Sequence, residues 1–150
     1  MNYGELIRLY FERSTALQWY WTIYVVVIGG LLAFSSLRHR ADLATAILIT
    51  ILYCFFAYKN LDAIRDVTFQ RAAALQSIRD YHVSSSEPLD IQQQRRLIEP
   101  TLVAPTFDGT RNFHIGSDLL TIAALWAMEW RRRRWRQFAT DPVGKAPAHN

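Results

Sequence analysis

The chain has 150 residues, half of them apolar, and a formal net charge of +4. That length suffices for one compact domain, and these totals alone fit a soluble protein as well as a membrane protein. The single cysteine, Cys54, excludes a disulfide within the chain. Charged residues avoid two long apolar runs and crowd into the remaining segments, which is typical of a protein whose core meets lipid.

The first apolar run, residues 14–37, contains no charged side chain. A helix needs roughly 20 apolar residues to cross the hydrocarbon of a bilayer, so this run predicts a span at about residues 15–36. The run is longer than the about 7 to 15 apolar residues of a secretory signal, and no small-residue cleavage site follows it. We therefore expect a retained helix that begins near Tyr3 and ends near Phe34.

Two groups of residues within this run predict its surroundings. Aromatic side chains indicate the headgroup boundary, where amphipathic rings are favoured: Trp19, Tyr20, Trp21 and Tyr24. Small side chains stand at a helical spacing that lets a second helix approach closely: Gly29, Gly30 and Ala33. Glycine is also frequent in membrane helices for no such reason, and both interpretations stand.

The second run, residues 43–58, follows a short Arg38-His39-Arg40 break and predicts a helical hairpin over residues 1–83. Its span, at about 42–59, is short, so flanking basic side chains must extend their charges outward. The helix continues into water to about residue 82, carrying an apolar stripe at spacings of three and four: Leu61, Ile64, Thr68, Leu75 and Ile78. That stripe needs a partner, which is the amino-terminal helix, a later part of the chain or a second copy.

Residues 84–112 are predicted to be a connector bounded by Pro88 and Pro105. A short helix at about 90–99 ends where Pro100 disfavours further helical geometry. Residues 106–112, which include Asp108 and Gly109, predict a turn.

The last predicted helix covers residues 113–138 and precedes a flexible tail at 139–150. It is either a third span or an amphipathic helix in the plane of the interface, because Asp118 and Glu129 are costly where they face lipid. A third crossing brings the Arg38-His39-Arg40 break and the arginine cluster together in the cytoplasm, leaving the amino terminus and residues 59–112 outside. Two crossings put both termini in the cytoplasm and that basic break outside. The charge pattern favours three.

Two polar sets are candidates for a site. His114 and Asp118, four residues apart, share a helix face and can form an ion pair or a proton relay. The favoured alternative is that Asp118 caps a helix starting near Ser117. The second set predicts a topology anchor on anionic lipid headgroups in preference to a nucleic-acid site: Arg131, Arg132, Arg133, Arg134 and Arg136, with Trp130 and Trp135 among them.

Alternating charges at Lys59, Asp62, Arg65 and Asp66 predict a solvated helix face. No HExxH, CxxC, GxSxG, phosphate-loop or dinucleotide signature occurs, so we expect no enzyme activity, no metal and no cofactor.

These features predict an all-α integral membrane protein: a transmembrane hairpin of long helices plus a carboxy-terminal helix that spans or lies on the membrane. The expected location is the cell membrane, specifically a bacterial inner membrane. The first functional hypothesis is a non-catalytic protein that associates with other membrane subunits or with itself, as an accessory subunit or scaffold. The alternatives are a small oligomeric transporter or ion pathway that uses His114 and Asp118, and a membrane-tethered sensor.

Overall fold

A computed structural model describes residues 2–81, 89–103 and 106–140, without the side chains of 89–91, 94 and 136–140. It contains four α-helices: α1 Tyr3–Leu37, α2 Leu43–Arg79, α3 Leu89–Ile98 and α4 Phe107–Thr140, with a 3₁₀ turn at Glu99–Thr101. The described residues contain no strand, which confirms the all-helical prediction. Both α1 and α2 are long and apolar enough to cross a membrane. The predicted polar break at 84–86 and the tail beyond residue 140 lie outside the described residues.

Local capping accounts for where the hairpin helices begin. The side chain of Asn2 accepts a hydrogen bond from the Glu5 N–H and the Glu5 carboxylate accepts one from the Asn2 N–H, both at 2.8 Å. This reciprocal pair satisfies two amides that the first turn of α1 leaves without helical partners. Asp42 caps α2 in a similar way through the N–H of Ala44, at 3.1 Å.

The long helices form a three-helix bundle in which α4 lies lengthwise along the hairpin. At one end the rings of Phe69 and Phe107 are 6.2 Å apart, so the start of α4 lies beside the carboxy-terminal third of α2. At the other end Arg132 donates to the carbonyl of Ser35, near the end of α1. Because α2 runs back along α1, α4 is parallel to α1 and antiparallel to α2.

The boundaries of the last two helices differ from the prediction to different degrees. The short helix, Leu89–Ile98, lies one residue from its expected bounds. Helix α4 begins at Phe107, six residues before the predicted start, and the turn predicted at 106–112 is helical from Phe107 onward. Local contacts support this earlier start: Asp108 lies 3.5 Å from Arg111 on the same turn, and Phe107 packs against Phe69.

A conventional apolar core joins the amino-terminal part of α1 to the carboxy-terminal part of α2. We call it the terminal core, and its buried members are Tyr3, Leu6, Tyr10, Ala74, Leu75, Ile78 and Leu102. Burial raises the pKa of the Tyr3 phenol, and the charge of Glu99 acts in the same direction. Leu75 and Ile78 of the apolar stripe on α2 lie in the terminal core, where their partners are the amino-terminal helix and the connector. Ile64 and Thr68 of the same stripe are also buried. This removes the stripe as an argument for a second copy.

Arg71 and Tyr10 fasten the connector to the terminal core. The guanidinium of Arg71 lies 4.8 Å from the ring centroid of Tyr10 and donates to its hydroxyl at 2.6 Å. That hydroxyl in turn donates to the carbonyl of Val103 at 3.1 Å. The segment before α4 is therefore attached to both helices of the hairpin.

The other part of the bundle, which we call the apolar half, has the opposite distribution of side chains. It comprises residues 14–37 of α1, 43–60 of α2 and 113–130 of α4. Large apolar side chains point outward there, among them Val25, Val26, Phe34, Leu48, Leu52, Phe55, Leu119 and Leu120. The most apolar 18-residue windows of α1 and α2 are only 11% and 17% buried, whereas a core helix of a soluble protein is mostly buried.

Candidate functional site: a polar network between three helices

The inward face of α4 is polar. Residues at spacings of three and four point toward α1 and α2, and only one of them is apolar: His114, Asp118, Thr121, Leu125, Glu129 and Arg132. The outward face is apolar: Phe113, Ile115, Leu119, Leu120, Trp126 and Trp130. The polar side chains of the inward face lower the mean hydropathy of α4. By length and composition alone, only α1 and α2 are apolar enough to cross a membrane.

The Asp118 carboxylate accepts hydrogen bonds from donors on all three long helices. One oxygen, Oδ1, accepts from the hydroxyl of Tyr24 on α1 at 2.8 Å and from that of Tyr53 on α2 at 2.7 Å. The other, Oδ2, lies 2.8 Å from Nδ1 of His114 on α4 itself. Three donors stabilise the ionised carboxylate, which would be costly in an apolar setting without them.

His114 is completely buried and connects this carboxylate to α2. Its Nε2 lies 3.2 Å from the side-chain nitrogen of Asn60, and its ring is 4.1 Å from that of Tyr24, centroid to centroid. Because an ionised carboxylate only accepts, the imidazole donates from Nδ1 to Asp118. In a neutral imidazole Nε2 then accepts, and the Asn60 amide nitrogen is its matching donor.

The network lies at mid-height of the first apolar run. Tyr24 is ten residues after the start of residues 14–37 and thirteen before the end. At about 1.5 Å per residue, the nearest charged flanks of α1 are about 15 to 20 Å away along the helix.

A second polar contact joins α4 to the end of α1. Glu129 is only 2% exposed and bonds Arg132 at 3.0 Å and Arg133 at 3.4 Å. Arg132 also donates to the carbonyl of Ser35 and lies 3.3 Å from its hydroxyl. The buried carboxylate and the buried guanidinium compensate each other, so neither is left as an isolated charge.

The structure brings His114 and Asp118 together as their spacing predicts, but it does not show the capping role. Helix α4 starts at Phe107, so Asp118 lies in the helix interior and its carboxylate bonds side chains instead of terminal amides. Tyr24 also differs from its prediction as a headgroup-boundary residue, because it points inward and is almost fully buried.

The arginines of the predicted anchor lie on two different sides of α4. Arg132 and Arg133 contact Glu129, whereas Arg131 and Arg134 face outward. The side chain of Arg136 is outside the described set. The predicted packing residues Gly29, Gly30 and Ala33 are exposed on α1, and a methyl group added at either glycine would meet no atom within 4 Å.

Sequence reasoning missed Tyr53 and Asn60. Both lie on one continuous inward stripe of α2 at spacings of four, three and four: Tyr53, Ala57, Asn60 and Ile64. A polar side chain on such a stripe was the available signal, but the preceding apolar run and the adjacent Lys59 made this part of α2 look like a simple span and its flank.

No group of three or more His, Cys, Asp or Glu side chains suited to a metal ion occurs within the described part of the chain. Comparisons with protein-family models, curated proteins and solved structures find no match to this chain.

The contribution of the network to stability is measurable with a pair of identical substitutions on α2. We expect Tyr53→Phe to lower the free energy of unfolding by about 1 to 2 kcal/mol, since it removes a donor to an ionised carboxylate. Tyr58→Phe is the control, because Tyr58 is two-thirds exposed, and it should change stability by less than about 0.5 kcal/mol. Reversible denaturation in detergent micelles, followed by circular dichroism, gives both values. Equal effects of the two substitutions would contradict a stabilising role for the network.

Proposed function

We propose that this chain is an integral membrane protein whose three long helices all cross the bilayer, and that it acts by association with other membrane helices and not by catalysis. The observation that carries insertion is the reversed burial of the apolar half. Apolar side chains outside and hydrogen-bonded polar side chains inside suit a hydrocarbon solvent, in which exposed polar groups are expensive.

The inward polar face of α4 supports its crossing as a third span. Nineteen residues separate Arg111 from Arg131, which corresponds to about 28 Å of helix, close to the thickness of the hydrocarbon. The two carboxylates within that stretch, Asp118 and Glu129, have partners inside the bundle. The free-energy cost of placing these carboxylates in hydrocarbon is therefore offset by their contacts with α1, α2 and neighbouring arginines.

The distribution of charge supports one orientation. Arg38-His39-Arg40 and the arginine cluster lie at the same end of the bundle, because Arg132 contacts Ser35. Residues 1–13 and 59–111, which the three-crossing arrangement assigns to the other side of the membrane, carry nine basic and nine acidic residues and so have no excess charge. Because positively charged short segments remain in the cytoplasm, we propose that the basic end faces it and the terminal core lies outside, in a bacterial inner membrane.

Topology mapping tests the three crossings. Reporters inserted after Ser85 and after Thr140 are expected on opposite sides of the membrane, with the Thr140 reporter in the cytoplasm. A third reporter after His39 serves as the internal control and should share the side of Thr140. Finding Ser85 and Thr140 on the same side would leave α4 as a surface-lying helix and reject this arrangement.

A face of α1 on which four of five residues are small supports association. Five exposed residues follow one another at alternating spacings of four and three: Thr22, Val26, Gly29, Ala33 and Ser36. The hydroxyls of Thr22 and Ser36 donate to the main-chain carbonyls of Gln18 and Ala33, at 2.9 and 2.8 Å, so the face offers close approach without unpaired polar groups. Close van der Waals packing of such faces is what drives helix association in lipid. An accessory subunit or a self-associating scaffold fits this surface.

Replacing one glycine tests the association face. We expect Gly29→Val to reduce energy transfer between fluorescently labelled copies in vesicles, with several-fold weaker association, because the branched side chain keeps a second helix away. Gly116→Val on the outward side of α4 is the matched control, since an added methyl there also meets no atom within 4 Å. A wild-type chain that stays monomeric in vesicles and purifies from mild detergent without partners would overturn association altogether.

A second candidate, a proton or ion pathway, is favoured by one observation: His114 and Asp118 are ionisable groups inside the apolar half. Against it, the polar inward face of α4 is interrupted at Leu125, and Thr121 and Glu129 lie about 12 Å apart along the helix. A single copy therefore has no continuous polar line along the described part of α4.

Flux measurements separate the two candidates. We expect vesicles that contain the protein to show no proton or cation flux above empty vesicles, measured with a pH-sensitive dye and with a membrane potential imposed. Asp108→Asn is the control, because the Asp108 carboxylate is exposed in the first turn of α4. A flux that is lost in Asp118→Asn but kept in Asp108→Asn would favour the pathway instead.

A further inference from the structure

The arginine cluster after the apolar half contains two guanidinium groups for which the described residues provide no ion pair. Glu129 bonds Arg132 and Arg133 on the inward side of α4. Arg131 and Arg134 lie on the opposite side, and no ion pair to either occurs among the residues that the structure describes. Two adjacent uncompensated cations favour an anion at this position.

These two arginines line an open groove on the outward surface of α4. The groove encloses about 420 Å³, and its lining residues are Ala127, Trp130, Arg131, Arg134 and Trp135. Both indoles are largely exposed, at 66% and 72%, and the guanidinium of Arg134 lies 5.5 Å from the ring centroid of Trp130. Exposed indole beside guanidinium is costly in bulk water but favourable where acyl chains meet headgroups.

A shallow apolar track leads away from the groove along the same helix face. Its members are exposed, mostly small, and spaced at four, three and four residues: Gly116, Leu120, Ala123 and Ala127. From first to last the track extends about 16 Å, close to the depth of one leaflet's hydrocarbon. Cationic groups at one end and an apolar track of leaflet depth together match the shape of a phospholipid.

We propose that this groove is a binding site for one anionic phospholipid, whose phosphodiester bonds Arg131 and Arg134 and whose acyl chain lies along the track. The inference rests on the membrane insertion proposed above. Charge complementarity selects the lipid class: the described lining residues include two guanidinium groups and no carboxylate, so they offer nothing to the ammonium group of a zwitterionic headgroup. The indoles of Trp130 and Trp135 contact the glycerol and upper acyl region.

Tryptophan quenching by brominated lipids tests the site in reconstituted full-length protein. The variant Trp19→Phe, Trp21→Phe, Trp126→Phe retains only the two groove tryptophans. Vesicles contain phosphatidylcholine and phosphatidylglycerol in fixed proportion, with bromine on the acyl chains of one lipid or the other. We expect brominated phosphatidylglycerol to quench with roughly five-fold greater effectiveness per molecule than brominated phosphatidylcholine.

Two double variants distinguish a specific lipid site from nonspecific electrostatic attraction of anionic lipid to the basic end of the bundle. Arg131→Gln with Arg134→Gln should bring the two quenching efficiencies to about equality, and the quenching by phosphatidylcholine that is retained reports an intact, inserted protein. Arg38→Gln with Arg40→Gln removes the same charge from the same end of the bundle and should keep the preference.

Each other outcome counts against the proposal. Equal quenching in the starting protein overturns the lipid site while leaving insertion supported. Equal loss of preference in both double variants overturns it as well, because the attraction is then a property of the whole basic end. An absence of quenching by either lipid overturns membrane insertion, and the lipid site with it.

Discussion

The hydrogen-bonded carboxylate of Asp118 is the constraint on which the arrangement of the apolar half depends. It accepts hydrogen bonds from hydroxyls on α1 and α2 and from an imidazole on α4, so one group joins the third helix to the other two. An unpaired carboxylate in apolar surroundings would cost several kcal/mol, more than a typical side-chain contact returns. The lengthwise position of α4 follows, because only that position brings Asp118 to both tyrosines and Glu129 and Arg132 to the end of α1.

Two packing rules operate within the same pair of helices. In the terminal core, Leu6, Leu75 and Ile78 exclude water in the way of a soluble protein. In the apolar half, polar side chains occupy the interior and apolar ones the surface. The change occurs along continuous helices, without a break in α1 or α2. On the proposed insertion, hydrophobic burial stabilises the hairpin outside the bilayer and hydrogen bonds stabilise it inside.

The hairpin and its long helices could be predicted because charge-free runs and uninterrupted helical spacing are strong local signals. The start of α4 could not, since Asp108 and Gly109 resemble a turn, whereas Phe107 packs against Phe69 through a tertiary contact that the local sequence does not reveal. Tyr24 was assigned to the headgroup boundary because a buried hydroxyl donor and a boundary aromatic have the same sequence signature. The pairing of His114 with Asp118 followed from spacing, but Tyr53 and Asn60 joined it only through tertiary placement. The partner of the α2 stripe was likewise undetermined, as three different surfaces fit it equally well.

The reversed polarity of α4 also constrains biogenesis. Alone, this helix would expose a histidine, two carboxylates and an arginine to hydrocarbon, so it has little tendency to partition into a bilayer by itself. Its predecessors leave the ribosome first and present Tyr24, Tyr53 and Asn60 on a surface already facing the emerging segment. On the three-crossing arrangement, insertion of α4 therefore depends on α1 and α2, which are already in the membrane and provide the hydrogen-bond partners for its polar side chains.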